Sequence, residues 1–202
     1  MSYVELHCHS AYSFLDGASH PEELALRAAE LGYEALALTD HEGVYGSLEL
    51  AHAAKLVGVR PITGAEVTLV GGAHVTLLVE SPQGYANLCR LLTAAHAHTR
   101  PKEGELLAPA LDPALLAELN EGLVCLSGCA RQGLGVNDPN AALTLSRAFG
   151  PERFYIELQR PFERGDARRN AQGQAARQSA PGGQGCGRPA RARERGCGWC
   201  RR

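Results

Sequence analysis

The sequence predicts a mixed α/β domain over residues 1–166, followed by a disordered tail over residues 167–202. Three observations predict it. Short apolar runs alternate with amphipathic stretches of helical period, the pattern of βαβ units around a largely parallel sheet or barrel. Polar, chemistry-bearing residues recur where those apolar runs end, which in such folds is the functional face. After Leu158 the pattern stops: residues 159–202 contain no Leu, Ile or Val, and Gly, Arg, Ala, Gln and Pro dominate without a period. A segment of that kind cannot bury enough apolar surface to offset its conformational entropy.

The elements follow in order. Tyr3–His7 reads as a short strand. Ser19-His20-Pro21-Glu22 carries a capping signal, with Pro early and Glu three residues after Ser. The helix it opens places Leu24, Ala28 and Leu31 on one stripe and stops at Gly32. Ala35–Leu38 is a second strand, and Leu48, Ala51, Ala54 and Lys55 mark a helix over Ser47–Val57. Arg60–Leu69 holds one or two strands and Ala73–Glu80 another. Pro82–His98 is a long helix with Leu88, Leu91, Leu92 and Ala95 on one face. Asp112-Pro113 starts a short helix by an Asp cap and an early Pro. Leu123–Leu126 is a strand, Pro139–Phe149 a helix and Arg153–Leu158 a last strand.

The net charge of −2 conceals a split: residues 1–166 carry 21 Asp+Glu against 11 Lys+Arg, whereas residues 167–202 carry nine Arg and one acid, Glu194. No apolar run approaches the ~20 residues of a membrane span, and the N-terminus lacks a secretory pattern, so a cytoplasmic location is expected. Cys8, Cys89, Cys125 and Cys129 show no disulfide-framework spacing, which suits a reducing compartment. Cys186, Cys197 and Cys200 lie in the basic tail; with no His nearby, Cys197-x-x-Cys200 is not read as a zinc site. The tail arginines read as incidental charge, since only Trp199 interleaves them.

All eight histidines fall between positions 7 and 98. His7 and His9 flank Cys8 at a strand end, where i and i+2 point to one side and both imidazoles reach one metal; Cys8 points the other way and packs. Asp16, in SFLDGAS, reads either as a hard-oxygen ligand or as an Asp-Gly turn residue. Asp40-His41 closes a strand and supplies either a ligand with its orienting partner or a helix cap. Glu66 sits in an apolar strand, where a carboxylate is costly unless paired or metal-bound; a solvent-facing position is the competing reading. His96 and His98 cannot share a helix face, so one ligates and the other is exposed. Cys129, in LSGC, is either a thiolate ligand or a small buried residue. His20, His52 and His74 read as structural positions.

The ordered set LHCHSAYSFLDGA, ALTDHEGVYG, ITGAEV, LTAAHAHTRP and LVCLSGCARQG resembles the PHP (polymerase and histidinol phosphatase) domain. With YSFLDGAS, TDHEGVYG and FYIELQRP it resembles more narrowly the PHP domains that open bacterial DNA polymerase III alpha subunits, the error-prone branch above all. The resemblance covers roughly residues 3–170. It implies a distorted seven-stranded (β/α) TIM-like barrel with up to three divalent ions (Zn, Mn or Fe). It further implies that His7, His9 and Glu66 hold the first, that Glu66 bridges to a second completed by His96 and Cys129, and that Asp16 and His41 hold the third. Family members hydrolyse phosphoesters with metal assistance. In polymerase chains that gives a 3′-5′ exonuclease-like activity, with DNA and the remaining polymerase domains as partners and no membrane. A catalytically inactive structural remnant and a stand-alone histidinol-phosphatase-like enzyme are the alternatives.

One departure stands out. The family ends its site with a late Asp-x-His, and no histidine follows His98 here. Just after Arg169-Asn170 the sequence turns compositionally alien, which reads as a truncated or frameshifted end and an incomplete barrel. The first and third metals would each lose one ligand.

Overall fold

The computed structural model describes residues 3–129, 132–134 and 138–159, together with 165, 167, 168, 170 and 171. The tail cysteines and the charge run around them lie outside the described residues. The elements are α1 (Pro21–Glu30), β1 (Ala35–Leu38), α2 (Ser47–Val57), β2 (Arg60–Thr68), β3 (His74–Val79), α3 (Pro82–His96), α4 (Pro113–Glu118), β4 (Leu123–Leu126), α5 (Pro139–Phe149) and β5 (Phe154–Tyr155). The sheet runs in chain order, β1-β2-β3-β4-β5.

Pairing departs from the expected parallel sheet. β1–β2 and β4–β5 are parallel, but β2–β3 and β3–β4 are antiparallel. The reason is local. Too few residues separate Thr68 from His74 for a crossover helix, and Gly71 and Gly72, at φ 105° and 86°, turn the chain back into a hairpin. Tyr3–His7 is not a continuous strand; it makes one parallel bridge, Glu5 to Leu36, along the free edge of β1.

The helices are built as their sequences dictate, with small shifts. In α3 the expected stripe Leu88, Leu91, Leu92 and Ala95 is buried, and Ser81 caps the first turn by accepting from Gly84 N. Asp112 and Asp138 cap α4 and α5 in the same way. The α1 cap falls one residue later than expected: His20 N donates to the Glu23 carboxylate at 2.9 Å. In α1 Ala25 and Ala28 face the core while Leu31 is exposed, and in α2 the buried pair is Leu50 and Ala54 rather than Leu48. The two helices pack on each other, α1 also against β1 and α2 against β2, so only residues at three- or four-residue spacing toward those contacts are covered.

Strand alternation divides the interior. Ala65, Val67 and Leu69, with Val75 and Leu77 of β3 and Leu123 and Cys125 of β4, build the main core with the buried faces of α3, α4 and α5. The intervening residues, Glu66 on β2 and His74 and Thr76 on β3, point to the opposite side. A smaller cluster of Ala25, Ala28, Leu36, Leu38, Leu50, Ala54 and Val59 closes the β1 end, and Cys8 packs against it as expected.

Candidate metal centre

Glu66 is the centre of the polar side. Its register partner is Thr76, and His74 pairs with Thr68, so Glu66 and His74 lie diagonally on one face of the hairpin. The parallel pairing of β1 continues past Leu38, since Glu66 N donates to Asp40 O and Glu42 N donates to Glu66 O. That continuation sets His41 beside Glu66. The result is a buried carboxylate surrounded by imidazoles. Glu66 Oε1 accepts from His74 Nδ1 at 2.8 Å and lies 3.0 Å from His41 Nδ1. Glu66 Oε2 lies 2.7 Å from His7 Nε2 and 3.8 Å from His9 Nε2.

His7 and His9 arrive from the segment on the edge of β1, with ring centroids 5.0 Å apart. Thr39 anchors this segment: its hydroxyl accepts from Cys8 N and donates to Cys8 O. From the far end of the sheet comes Glu157, just beyond β5. His7 Nδ1 donates to its two carboxylate oxygens at 2.8 and 2.9 Å. The N-terminal edge and the segment beyond β5 therefore meet across the site, and the sheet curls toward a barrel. Glu157 is itself held, through Glu157 N donating to Ser127 Oγ and Gln159 Nε2 donating to its carboxylate.

The loop after His9 supplies Asp16. Asp40 is fully buried and organises that loop, its carboxylate accepting from Ser10 N, Ser10 Oγ and Ser13 Oγ at 2.7–2.8 Å. It does not cap α2, whose N-cap is Gly46. Gly17 permits the fold of the loop, because a side chain there would strike the Ser10 carbonyl. Asp16 thereby serves as both turn residue and cluster member. Its Oδ2 accepts from His9 Nδ1 at 2.7 Å and from His41 Nε2 at 3.1 Å.

Charge follows from these contacts. Burial pushes the Glu66 carboxyl up, but hydrogen bonds from His41 and His74 and the ion pair with His7 prevail and hold it far below the usual carboxylate range. His41 is raised to about 9, chiefly by its hydrogen bond to Glu66. Burial opposes charge on His7, yet Glu157 and Glu66 hold its pKa well above the ordinary value. His9 is lowered by burial and by the neighbouring charge of His7. Burial favours protonation of Asp16, but the hydrogen bonds from His41 and His9 win and lower it.

Three groups of ligand-type atoms overlap here: His7, His9 and Glu66; His9, Asp16 and His41; and His41, Glu66 and His74. Within each, the atoms lie within 4.8 Å of one another, close enough to share an ion. The fit is supported by Glu66 Oε2, which is buried and has no hydrogen-bond partner despite two imidazole nitrogens nearby. A carboxylate oxygen left unsatisfied among imidazoles is costly, and a cation between them removes that cost. Donation of His7 Nδ1–H to Glu157 also leaves Nε2 as the metal-facing nitrogen, the usual arrangement of a ligating histidine with a carboxylate behind it.

Of the sequence-predicted residues, the fold brings together His7, His9, Asp16, His41 and Glu66. His96 and Cys129 are in none of these groups. His96 Nε2 donates to the Glu42 carbonyl at 2.8 Å, and Cys129 Sγ accepts from Gln132 N at 3.3 Å. The loop carrying Cys129 does adjoin His74: His74 N donates to Gln132 O, and Gly128 lies against the His74 carbonyl. Sequence reading set His74 aside as structural and did not single out Glu157. The parity of His74 with Thr76 across a two-glycine turn from Glu66 was the available signal; Glu157 gave none beyond its place at a strand end.

Comparison with known proteins places this geometry in context. A profile described as the PHP domain matches residues 5–161. An error-prone DNA polymerase of Symbiobacterium thermophilum is 43% identical over 176 residues, covering 78% of this chain and 16% of the relative. A DNA polymerase III alpha subunit of Chlamydia pneumoniae is 35% identical over 173 residues, 79% of this chain and 13% of the relative. The chain thus spans only about 16% of the first of these relatives. Among solved structures, a chain from Bifidobacterium adolescentis assigned as a metal-dependent phosphoesterase superposes with a TM-score of 0.60 at 13% identity, covering 87% of this chain and 84% of that one. At that identity the likeness concerns the fold.

Proposed function

This chain belongs to the PHP domain family, and from that premise we propose that it is a metal-dependent phosphoesterase domain of an error-prone type of DNA polymerase III alpha subunit, acting on DNA phosphodiesters. The observation that carries the reading is the buried Glu66 carboxylate, shared by two of three overlapping ligand groups and joined to the third through His9 and His41. The ligands in this reading are His7, His9, Asp16, His41, Glu66 and His74, with Cys129 next to His74 as a further donor. Two or more divalent ions, Zn, Mn or Fe, suit a mixed imidazole and carboxylate set. Ions bound there would supply Lewis-acid stabilisation of phosphoryl charge and activation of a nucleophilic water.

The chain's own residues do the rest. Glu157 fixes the ring and tautomer of His7, Asp16 orients His9 and His41 together, and Asp40 holds the loop that delivers Asp16. Partners in this reading are DNA and the remaining polymerase domains, in the cytoplasm; no helix among the described residues is long and apolar enough to cross a membrane. A second reading, a metal-holding brace without turnover, is favoured by His96, whose Nε2 is engaged by the Glu42 carbonyl and joins none of the three ligand groups.

Metal analysis of the purified chain, coupled to hydrolysis of bis(4-nitrophenyl) phosphate and single-stranded DNA, tests the proposal. Stoichiometric metal with Mn- or Zn-dependent turnover is the expected result. Metal without turnover selects the brace, and no metal overturns both.

A further inference from the structure

Beside His41 the surface opens into a recess of about 480 Å³ lined by Tyr12, Ser13, Phe14, His41 and Tyr45, within the range of small-ligand sites. Its walls are aromatic, and two of them are held in place. Tyr12 donates its hydroxyl to Glu49 at 2.7 Å. Tyr45 lies over Gly43, where any Cβ would stand 2.2 Å from its ring. Phe14, by contrast, is 85% exposed, so most of its apolar ring faces water at the mouth of the recess. The recess shares His41 with the Asp16 and Glu66 groups, and Ser13 ties both together by accepting from His41 N.

We propose that the Tyr12, Phe14 and Tyr45 recess is a base-stacking subsite that seats one nucleobase of an unpaired DNA end while the adjoining phosphodiester faces His41. The inference rests on the phosphoesterase reading and narrows its substrate. Rings of this kind stack on any base, because every base presents a π face. A paired base inside a duplex cannot enter the recess. The acid excess of residues 1–166 disfavours broad electrostatic docking along duplex phosphates. Affinity then comes from stacking and from the metal-bound phosphate, and the dependence on salt is shallow.

The test is binding of the metal-loaded chain to a fluorescein-labelled phosphorothioate oligothymidylate, compared with an abasic oligomer and a blunt duplex. Phe14→Ala and Tyr45→Ala should each weaken oligothymidylate binding about tenfold, whereas Phe14→Tyr and Tyr45→Phe, which keep the ring, restore it. Metal content, measured on the same samples, stays at the wild-type level and shows that the variants fold. The abasic oligomer should bind all variants equally weakly. Oligothymidylate binding that is undiminished in both alanine variants at full metal content overturns the subsite and leaves the phosphoesterase reading standing. It would point instead to an apolar surface that docks protein. Absence of metal in the wild-type chain overturns the phosphoesterase reading, and absence of oligonucleotide binding by the metal-loaded chain overturns the subsite.

Discussion

The two faces of the β2–β3 hairpin carry the same backbone and opposite chemistry. On one face Ala65, Val67, Val75 and Leu77 enter a core covered by α3, α4 and α5. On the other, Glu66, His74 and Thr76 meet His7 and His9 of the N-terminal segment and His41 past the end of β1, and those imidazoles in turn hold Asp16 of the 10–19 loop and Glu157 beyond β5. The apolar face is non-directional: any residue of suitable size and parity serves. The polar face is directional, and each member has a specific partner at hydrogen-bond distance. Loss on the first face should therefore appear as stability, and loss on the second as ligand affinity.

Leu77→Ala gives the largest expected effect. Leu77 is fully buried, and truncation of such a leucine costs about 2–5 kcal/mol. Urea denaturation of the metal-free chain should show it as a lower midpoint. A shift well below 1 kcal/mol would mean that this face is not close-packed.

Glu66→Gln should act on the other face. Metal affinity should fall by more than about a hundredfold, because the amide keeps one carbonyl oxygen but loses the charge and the second carboxylate oxygen. In the metal-free chain His41 should also lose its main partner. Its raised pKa, about 9 in the parent, should drop toward the ordinary histidine value, measurable by NMR titration. The sign follows from linkage. The His41–Glu66 pairing stabilises the metal-free fold below the unfolded histidine pKa and is lost as pH rises through about 9. The variant should lack that alkaline loss, and an unchanged His41 titration would break the assignment of Glu66 as its partner.

Glu157→Gln should have a smaller effect of the same kind. Glu157 acts through His7, and removal of such an outer carboxylate lowers metal affinity about 10–100-fold. Stoichiometry should remain intact, which separates positioning from ligation. Loss of a whole equivalent of metal would instead make Glu157 a ligand.

The contrast between the faces also explains what was legible in the sequence. Period and caps located nearly every element, because burial on the apolar face leaves a local trace: the stripe of α3 and the Asp caps of α4 and α5 are written in consecutive residues. Family resemblance and strand-end placement pointed to His7, His9, Asp16, His41 and Glu66, which the fold gathers in overlapping groups. The antiparallel centre was missed because alternation does not distinguish a hairpin from a crossover when the turn is short. His74 was missed because its meaning depends on register across that hairpin, and Glu157 because its partner is 150 residues away. His96 was expected as a ligand from the likeness of its helix to the family helix, and in the structure its Nε2 lies on the Glu42 carbonyl.

His96 supplies the smallest effect and the sharpest contrast with Glu66. It lies at the end of α3, the helix whose buried stripe belongs to the apolar face. Its Nε2 donates to the backbone carbonyl of Glu42, and that bond ties the helix end to the stretch after His41. A hydrogen bond of this type contributes only about 0.5–1.5 kcal/mol. His96→Gln should therefore lower stability by no more than that and leave metal content and affinity unchanged. The measurement pairs urea denaturation with metal titration of the same protein. If metal affinity fell tenfold or more while stability held, His96 would turn toward the cluster when metal binds. The division between an apolar face that fixes stability and a polar face that fixes ligand binding would then fail at the helix terminus tied to the stretch after His41.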